Sequence, residues 1–405
     1  MQETLKGRVG EVSVMMKGLN ESATLAMARL AREMTAAGHD VVSLSLGEPD
    51  FDTPDFIKEA AIAAIRNNVT HYPPVNGFAD VREAIAAKFL RDNGLRYQPT
   101  EILVSTGAKQ CIANIIFSLI NPGDEVILPA PFWVSYAELV RLAGGVVITI
   151  PSKVENDFKM TPEELSAAVT TKTKLVIYSS PSNPTGSVYS KSELESFAQV
   201  ILANENLYVI SDEIYEHINF TGHTASIASI EGMWDRTVTV NGVSKAFAMT
   251  GWRMGYMAGP KWIVDACIKM QGQITSGANT IAQMATKAAV LADVTHVKYM
   301  VDVFHKRRDL VFNLLKEIPN IKVNLPEGAF YFFPDVSYYF GKSHNGRTIK
   351  DSNDLAMWLL ETQHVAVVSG EAFGGPESIR ISYATSDEKL VEAMKRIKNG
   401  LALLN

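Results

Sequence analysis

Between residues 55 and 295, short apolar runs alternate with stretches of helical periodicity, and this alternation constrains the fold more than any other feature. The apolar runs fall at 102–104, 125–128, 146–150, 175–178, 208–211 and 237–240. The helical stretches between them include 80–93, 110–119, 133–143 and 191–205. A strand that returns parallel to its neighbour needs a long crossover, usually a helix, and that crossover is right-handed. The pattern therefore predicts an α/β fold with a mostly parallel central sheet. Such sheets bind ligands beyond the carboxyl ends of their strands, so chemistry is sought in the residues that follow each run.

Outside this region the pattern differs. Residues 23–37 have amphipathic helical spacing closed by Gly38, and 41–46 reads as a strand running into Gly47-Glu48-Pro49-Asp50. After residue 295 a charged helix at 297–317 precedes short strands at 321–323, 329–333, 365–368 and 378–383, then a closing helix at 388–403. The polar, glycine-bearing stretch 338–350 reads as an exposed loop. These boundaries predict a large domain over 50–295 and a smaller α+β domain built from 1–49 and 296–405. A chain of 405 residues, 47% hydrophobic and 20% charged, can bury two such cores.

The formal charge of −6, with no basic tract, argues against nucleic acid as a partner. No segment approaches the ~20 apolar residues of a membrane span, and Met1-Gln2-Glu3-Thr4-Leu5-Lys6 lacks a signal-type apolar stretch. Cys111 and Cys267 lie far apart in apolar segments, as expected in a reducing compartment. A cytoplasmic enzyme without a metal ligand set is the class these observations predict.

One lysine stands out. The run Thr239-Val240-Asn241-Gly242-Val243-Ser244-Lys245-Ala246-Phe247-Ala248-Met249-Thr250-Gly251-Trp252-Arg253-Met254-Gly255 sets Lys245 among small and apolar residues, with Ser244 beside it and Arg253 following. Burying an ammonium removes its hydration and favours the neutral amine. A neutral amine attacks carbonyls, and a nearby arginine can hold a phosphate. An amine with a phosphate clamp suggests pyridoxal 5'-phosphate, which carries an aldehyde and a phosphate on one ring. Taken singly, a surface lysine in a loop explains the same residues.

The other strand ends carry matching chemistry. Asp212, in Ser211-Asp212-Glu213-Ile214-Tyr215, can keep a ring nitrogen protonated, and Tyr215 can donate to a phenolic oxygen; a helix cap is the plainer reading of Asp212. Asn183 lies in Ser180-Pro181-Ser182-Asn183-Pro184-Thr185-Gly186, which is either ordinary turn chemistry or a donor to that same oxygen. Ser105-Thr106-Gly107-Ala108-Lys109-Gln110 opens a helix, where free N–H groups bind phosphate. Trp133, in Pro131-Phe132-Trp133-Val134, either stacks on an aromatic ring or fills core. Arg380, in Ser378-Ile379-Arg380-Ile381-Ser382-Tyr383, sits inside an apolar strand and suits either an α-carboxylate or a structural ion pair.

Together these residues resemble the fold-type I pyridoxal phosphate enzymes, in particular the class I and II aminotransferases. The resemblance runs from Ser22-Ala23-Thr24 to Ser382-Tyr383-Ala384-Thr385-Ser386. It is carried by Leu46-Gly47-Glu48-Pro49-Asp50-Phe51-Asp52-Thr53-Pro54, His71-Tyr72-Pro73-Pro74, Asn183-Pro184-Thr185-Gly186, Ser211-Asp212-Glu213-Ile214-Tyr215-Glu216 and Lys245-Ala246-Phe247-Ala248-Met249-Thr250-Gly251-Trp252-Arg253. The subgroup it is most similar to is the bacterial and plastid-type aspartate aminotransferases, subgroup Ib, some of which also use prephenate.

The resemblance implies a role for each residue. Lys245 condenses with the cofactor aldehyde and then, as a free amine, moves the proton. Asp212 pairs with the ring nitrogen, Asn183 and Tyr215 contact the phenolic oxygen, and Trp133 stacks on the ring. Ser244, Arg253 and the backbone of Gly107-Ala108-Lys109 hold the phosphate, and Tyr72 reaches the phosphate of the other subunit, which implies a homodimer. Arg380 binds the substrate α-carboxylate beside Asn183, Trp133 and the Gly47 backbone. Lys109 recognises a distal carboxylate, which favours aspartate with 2-oxoglutarate. Members that use prephenate often carry a lysine where Asn20 stands here, so aspartate leads over prephenate and aromatic donors. A β-lyase on the same fold is the competing reaction, and a cofactor-bearing DNA-binding regulator is the competing class.

Overall fold

In the computed structural model, which describes residues 12–405, helices α1 (Val14–Lys17) and α2 (Ala23–Ala36) lead into a short strand, β1 (Val42–Ser43). The N-terminal hexapeptide considered above lies outside the described residues. Helices α3 (Asp55–Arg66) and α4 (Ala79–Asn93) follow, and α4 stops where Gly94 turns left-handed at φ 68°.

The central sheet has seven strands. They are β2 (Ile102–Ser105), β3 (Glu125–Ala130), β4 (Val146–Pro151), β5 (Thr173–Ser179), β6 (Tyr208–Asp212), β7 (Thr237–Gly242) and β8 (Gly255–Ala258). Their order is β2-β8-β7-β6-β5-β3-β4. From β4 to β7 each neighbouring pair is parallel, as the alternation predicted. Helices α5 (Ala108–Leu119), α6 (Ser135–Leu142), α7 (Pro162–Ala168) and α8 (Lys191–Leu202) make the crossovers. The exception is β8, antiparallel to both β2 and β7. It returns from β7 without an intervening α-helix, so no helical period marks it in the sequence.

Successive strand residues face opposite sides, and both sides are covered. Leu128, Ile177 and Ile210 bury with Ile112 and Ile116 of α5, whereas Ile127, Val176 and Val209 bury with Leu194 and Phe197 of α8. Helices α9 (Lys261–Ile274) and α10 (Thr280–Leu291) then pack against α5 and against α3 and α4, respectively.

The remaining chain forms α11 (Lys298–Lys316), β9 (Tyr331–Phe332), β10 (Ser343–His344), β11 (Arg347–Thr348), α12 (Ser352–Gln363), β12 (Val365–Ala366), β13 (Val368–Ser369), β14 (Ile379–Ser382) and α13 (Asp387–Leu401). An antiparallel sheet runs β13-β14-β9. Met27 and Leu44 from the first segment bury with Phe304, Trp358, Ile381 and Leu401 in one apolar cluster.

Three expectations fail here. Residues 321–323 form no strand and contribute only an isolated bridge from Lys322 to Asp335. The run 365–368 splits, because β12 pairs in parallel with β1 while β13 joins β14. The presumed loop 338–350 is a β10–β11 hairpin that buries Tyr339 and Ile349. Its turn is Asn345-Gly346, both at positive φ, which is the Asn-Gly signal for a tight hairpin. Among the described residues no helix is long and apolar enough to cross a membrane.

Candidate active site

A cavity of about 400 Å³ opens beyond the carboxyl ends of β2, β3, β5, β6 and β7. Each strand end delivers a side chain or backbone group. Asp212 is the last residue of β6, and Lys245 lies in the loop after β7. β3 leads to Trp133 and α6, β5 leads to Asn183, and β2 leads to Ala108 and Lys109 at the start of α5. Arg380 enters from β14, and Gly47 enters on the segment after β1.

Lys245 Nζ donates to the Gly47 carbonyl at 2.5 Å. Burial, and then the charge of Arg380, push its ammonium down to about 8. Asp212 is 4% exposed; its Oδ2 accepts from Tyr136 Oη at 2.6 Å and its Oδ1 from the Ile214 N–H at 3.3 Å. Burial raises its carboxyl to about 6, and the Tyr136 hydrogen bond opposes that rise. Tyr215 and Tyr331 share a hydroxyl–hydroxyl hydrogen bond of 2.7 Å, and burial holds the Tyr215 phenol well above its ordinary value.

Arg380 is 1% exposed and makes no ion pair among the described residues. Nη1 donates to Asn183 Oδ1 at 3.0 Å and Nη2 to the Ser45 carbonyl at 2.5 Å, while Nε has no partner. Lys109 Nζ lies 5.0 Å from the Trp133 ring centroid, and its ammonium is lowered by burial and by Arg253. Arg253 holds a left-handed backbone at φ 56° and donates from Nη1 to the Thr250 carbonyl at 2.9 Å. Its guanidinium lies against Gly107, where a Cβ would come within 2.7 Å of Nη2.

A family model described as aminotransferase class I and II matches residues 39–397. The chain belongs to the class I and II aminotransferases. It is 47% identical over 393 residues to an aspartate aminotransferase from Pinus pinaster, covering 95% of this chain and 80% of that protein. It is 47% identical over 380 residues to an aspartate/prephenate aminotransferase from Cereibacter sphaeroides, covering 93% and 95% of the two chains. Among solved structures, aspartate aminotransferase from Rhizobium meliloti superimposes with a TM-score of 0.94 at 40% identity, covering 98% of this chain and all of that one. Thermus thermophilus aspartate aminotransferase with maleate gives 0.91 at 40% identity, covering 96% and 99%.

The pocket of this aminotransferase gathers Gly47, Ala108, Lys109, Trp133, Asn183, Asp212, Tyr215, Ser244, Lys245, Arg253 and Arg380 from distant parts of the sequence. Gly107 stands just behind Ala108 as the N-cap of α5. Tyr72 is elsewhere, 94% exposed and outside this cavity. Wall residues that escaped the sequence reading include Tyr136, Tyr331 and Glu48. Tyr136 was legible as one helical turn beyond Trp133. Tyr331 was not, because Ala329-Phe330-Tyr331-Phe332-Phe333 reads as core throughout. Glu48, whose carboxylate accepts from the Thr250 hydroxyl, stood inside a quoted motif without a role.

The charged wall residues are Lys109, Lys245, Arg253 and Arg380 against Glu48 and Asp212. Four cations facing two carboxylates in a partly enclosed space attract anions, since desolvation strengthens every unpaired charge.

Proposed function

We propose that this aminotransferase moves the amino group of L-aspartate to 2-oxoglutarate, using pyridoxal 5'-phosphate in a homodimer with shared sites. The observation that carries the reading is the excess of cations in one cavity, with the buried Arg380 Nε left without a partner. A phosphate and two carboxylates would match Arg253, Arg380 and Lys109. The Thermus relative seen with maleate, a four-carbon dicarboxylate, supports the same ligand class.

The residues fit the cofactor. Arg253, Ser244 and the α5 N-terminus at Gly107-Ala108-Lys109 would hold the phosphate, in a cradle that a Cβ at Gly107 would fill. Asp212 would face the ring nitrogen, Trp133 would cover the ring, and Asn183 and Tyr215 would hold its phenolic oxygen. When bound, the cofactor supplies an aldehyde that takes an amine and a ring that accepts electrons. Lys245, with its ammonium near 8, is partly neutral at physiological pH and can take the proton from the substrate Cα. Arg380 would hold the α-carboxylate as a fork, and Lys109 the distal one as a point charge. The shared clamp serves both the amino acid and the oxo acid.

Residues 50–295 would form the cofactor domain, and 1–49 with 296–405 the smaller one, consistent with the apolar cluster that joins Met27 and Leu44 to 304–404. The exposed Tyr72 and a second open groove beside Arg253, lined by Phe51, Thr53, Trp252, Asn279 and Ile281, support a shared site filled by a second copy. Two free, buried cysteines fit a reducing cytoplasm.

Amino donors tested against 2-oxoglutarate and oxaloacetate decide the reaction. Aspartate is expected to give oxaloacetate and glutamate, whereas release of ammonia and pyruvate would establish a β-lyase. Prephenate is a second acceptor to test, since the Cereibacter relative is named for it. Asn20 donates to Glu138 from its backbone and its amide, both at 3.3 Å, and supplies no added cation for a larger dicarboxylate.

A further inference from the structure

Asp212 is the buried carboxylate of this site, and its surroundings are nearly all apolar or neutral. Facing it are Lys245 across the cavity, Tyr136 from α6, Tyr215 from its own turn, and Cys111 from α5, whose thiol burial pushes up to about 12. Of these, only Tyr136 donates a side-chain hydrogen bond to it, at 2.6 Å on Oδ2. Tyr136 is itself 1% exposed, and burial followed by the Asp212 charge holds its phenol well above the ordinary value. The hydroxyl therefore keeps its proton at every physiological pH and is a permanent donor.

Its placement is tied to the wall of the site. The Tyr136 N–H donates to the Trp133 carbonyl at 3.0 Å, and the two rings meet edge to face at 5.4 Å and 86°. One turn of chain thus sets both the indole that would cover the cofactor ring and the donor behind its nitrogen partner. A carboxylate pinned through one oxygen has a fixed plane, and a donor to the charged form favours that form.

We infer that Tyr136 is a positioning residue that acts through Asp212: its hydroxyl fixes the carboxylate plane and keeps the charge that pairs with the cofactor's ring nitrogen. The inference rests on the pyridoxal phosphate reading above. It assigns no contact between Tyr136 and the substrate.

The test measures binding of pyridoxal 5'-phosphate to the apoprotein as a function of pH, with the imine absorbance followed in parallel. Affinity in the wild type is expected to fall as pH drops through about 6, where Asp212 takes up its proton. In Tyr136→Phe the break should move up by about one pH unit, the tenfold carried by one hydrogen bond to a charged group. With 3-fluorotyrosine at position 136, a stronger donor of similar size, the break should move down. Tyr97→Phe removes an equally buried hydroxyl, which lies 3.1 Å from Thr239 Oγ1 and away from the cavity, and should leave the break in place.

Identical breaks for the wild type and Tyr136→Phe overturn the inference. Should Tyr136→Phe fail to fold, an unmoved break in the fluorotyrosine protein overturns it alone. Failure of the underlying reading looks different: the wild type itself would give no imine band, and borohydride would leave Lys245 unmodified.

Discussion

Among the described residues, the half-buried Lys245 and the fully buried Arg380 are cations without a carboxylate ion pair, and each has a measurable signature. Native Lys245 releases its proton near 8, whereas the unfolded side chain holds it to about 10.5. Between these values the unfolded state binds more protons, so apoprotein stability should rise with pH across that window. The rise amounts to about 3 kcal/mol. Lys245→Met should lack it, and subtracting its urea-unfolding profile from that of the wild type isolates the effect; equal profiles would refute the buried amine. Arg380→Ala should weaken all amino acid substrates alike, by roughly 2–5 kcal/mol in kcat/KM. Lys109→Ala should cost aspartate more than alanine, and equal losses would remove its proposed role with the distal carboxylate.

At the scale of elements, the site depends on how closely β8 approaches the start of α5. A Cβ on Gly255 would overlap the backbone nitrogen of Ala108, and that backbone cannot yield as a flexible side chain can. Gly255→Ala should therefore cost about 1–3 kcal/mol of stability and loosen cofactor binding at the adjacent N-terminus. A variant with wild-type melting and affinity would show that the approach is slack. The same elements mark the limits of sequence reading. The parallel strands β3, β5, β6 and β7 were legible because strands buried on both faces leave unbroken apolar runs between helical periods, and the half-exposed edge strand β4 kept such a run as well. β8 was not, since an antiparallel return needs no helix to announce it. The division of 365–368 between two sheets was equally hidden, because pairing partners are set by residues far away. Lys245, Asp212 and Arg380 were legible because buried charge in an apolar run is unusual. Tyr331 was not, because a phenol among aromatic residues reads as packing until its hydroxyl partner is seen.

At the scale of the whole molecule, the proposed shared site makes activity a property of two chains. Co-expressing Lys245→Ala with Tyr72→Ala should yield mixed dimers in which one of the two sites is intact. Activity at limiting cofactor should then exceed that of either variant alone and approach roughly a quarter of wild type. No gain over the better parent would place Tyr72 outside the partner's site.

The ribbon joining β1 to β12 also carries a consequence for synthesis. Val42 pairs with Val365 and Ser43 with Ala366, so the early strand stays unmatched until β12, about 320 residues further on, has been translated. At 5–20 residues per second that wait lasts roughly 15–65 s. Throughout it, Met27, Ala31, Val42 and Leu44 lack the later residues that cover them. A nascent chain of this enzyme therefore offers chaperones a greasy early segment, which disappears when α12, β12 and α13 leave the ribosome.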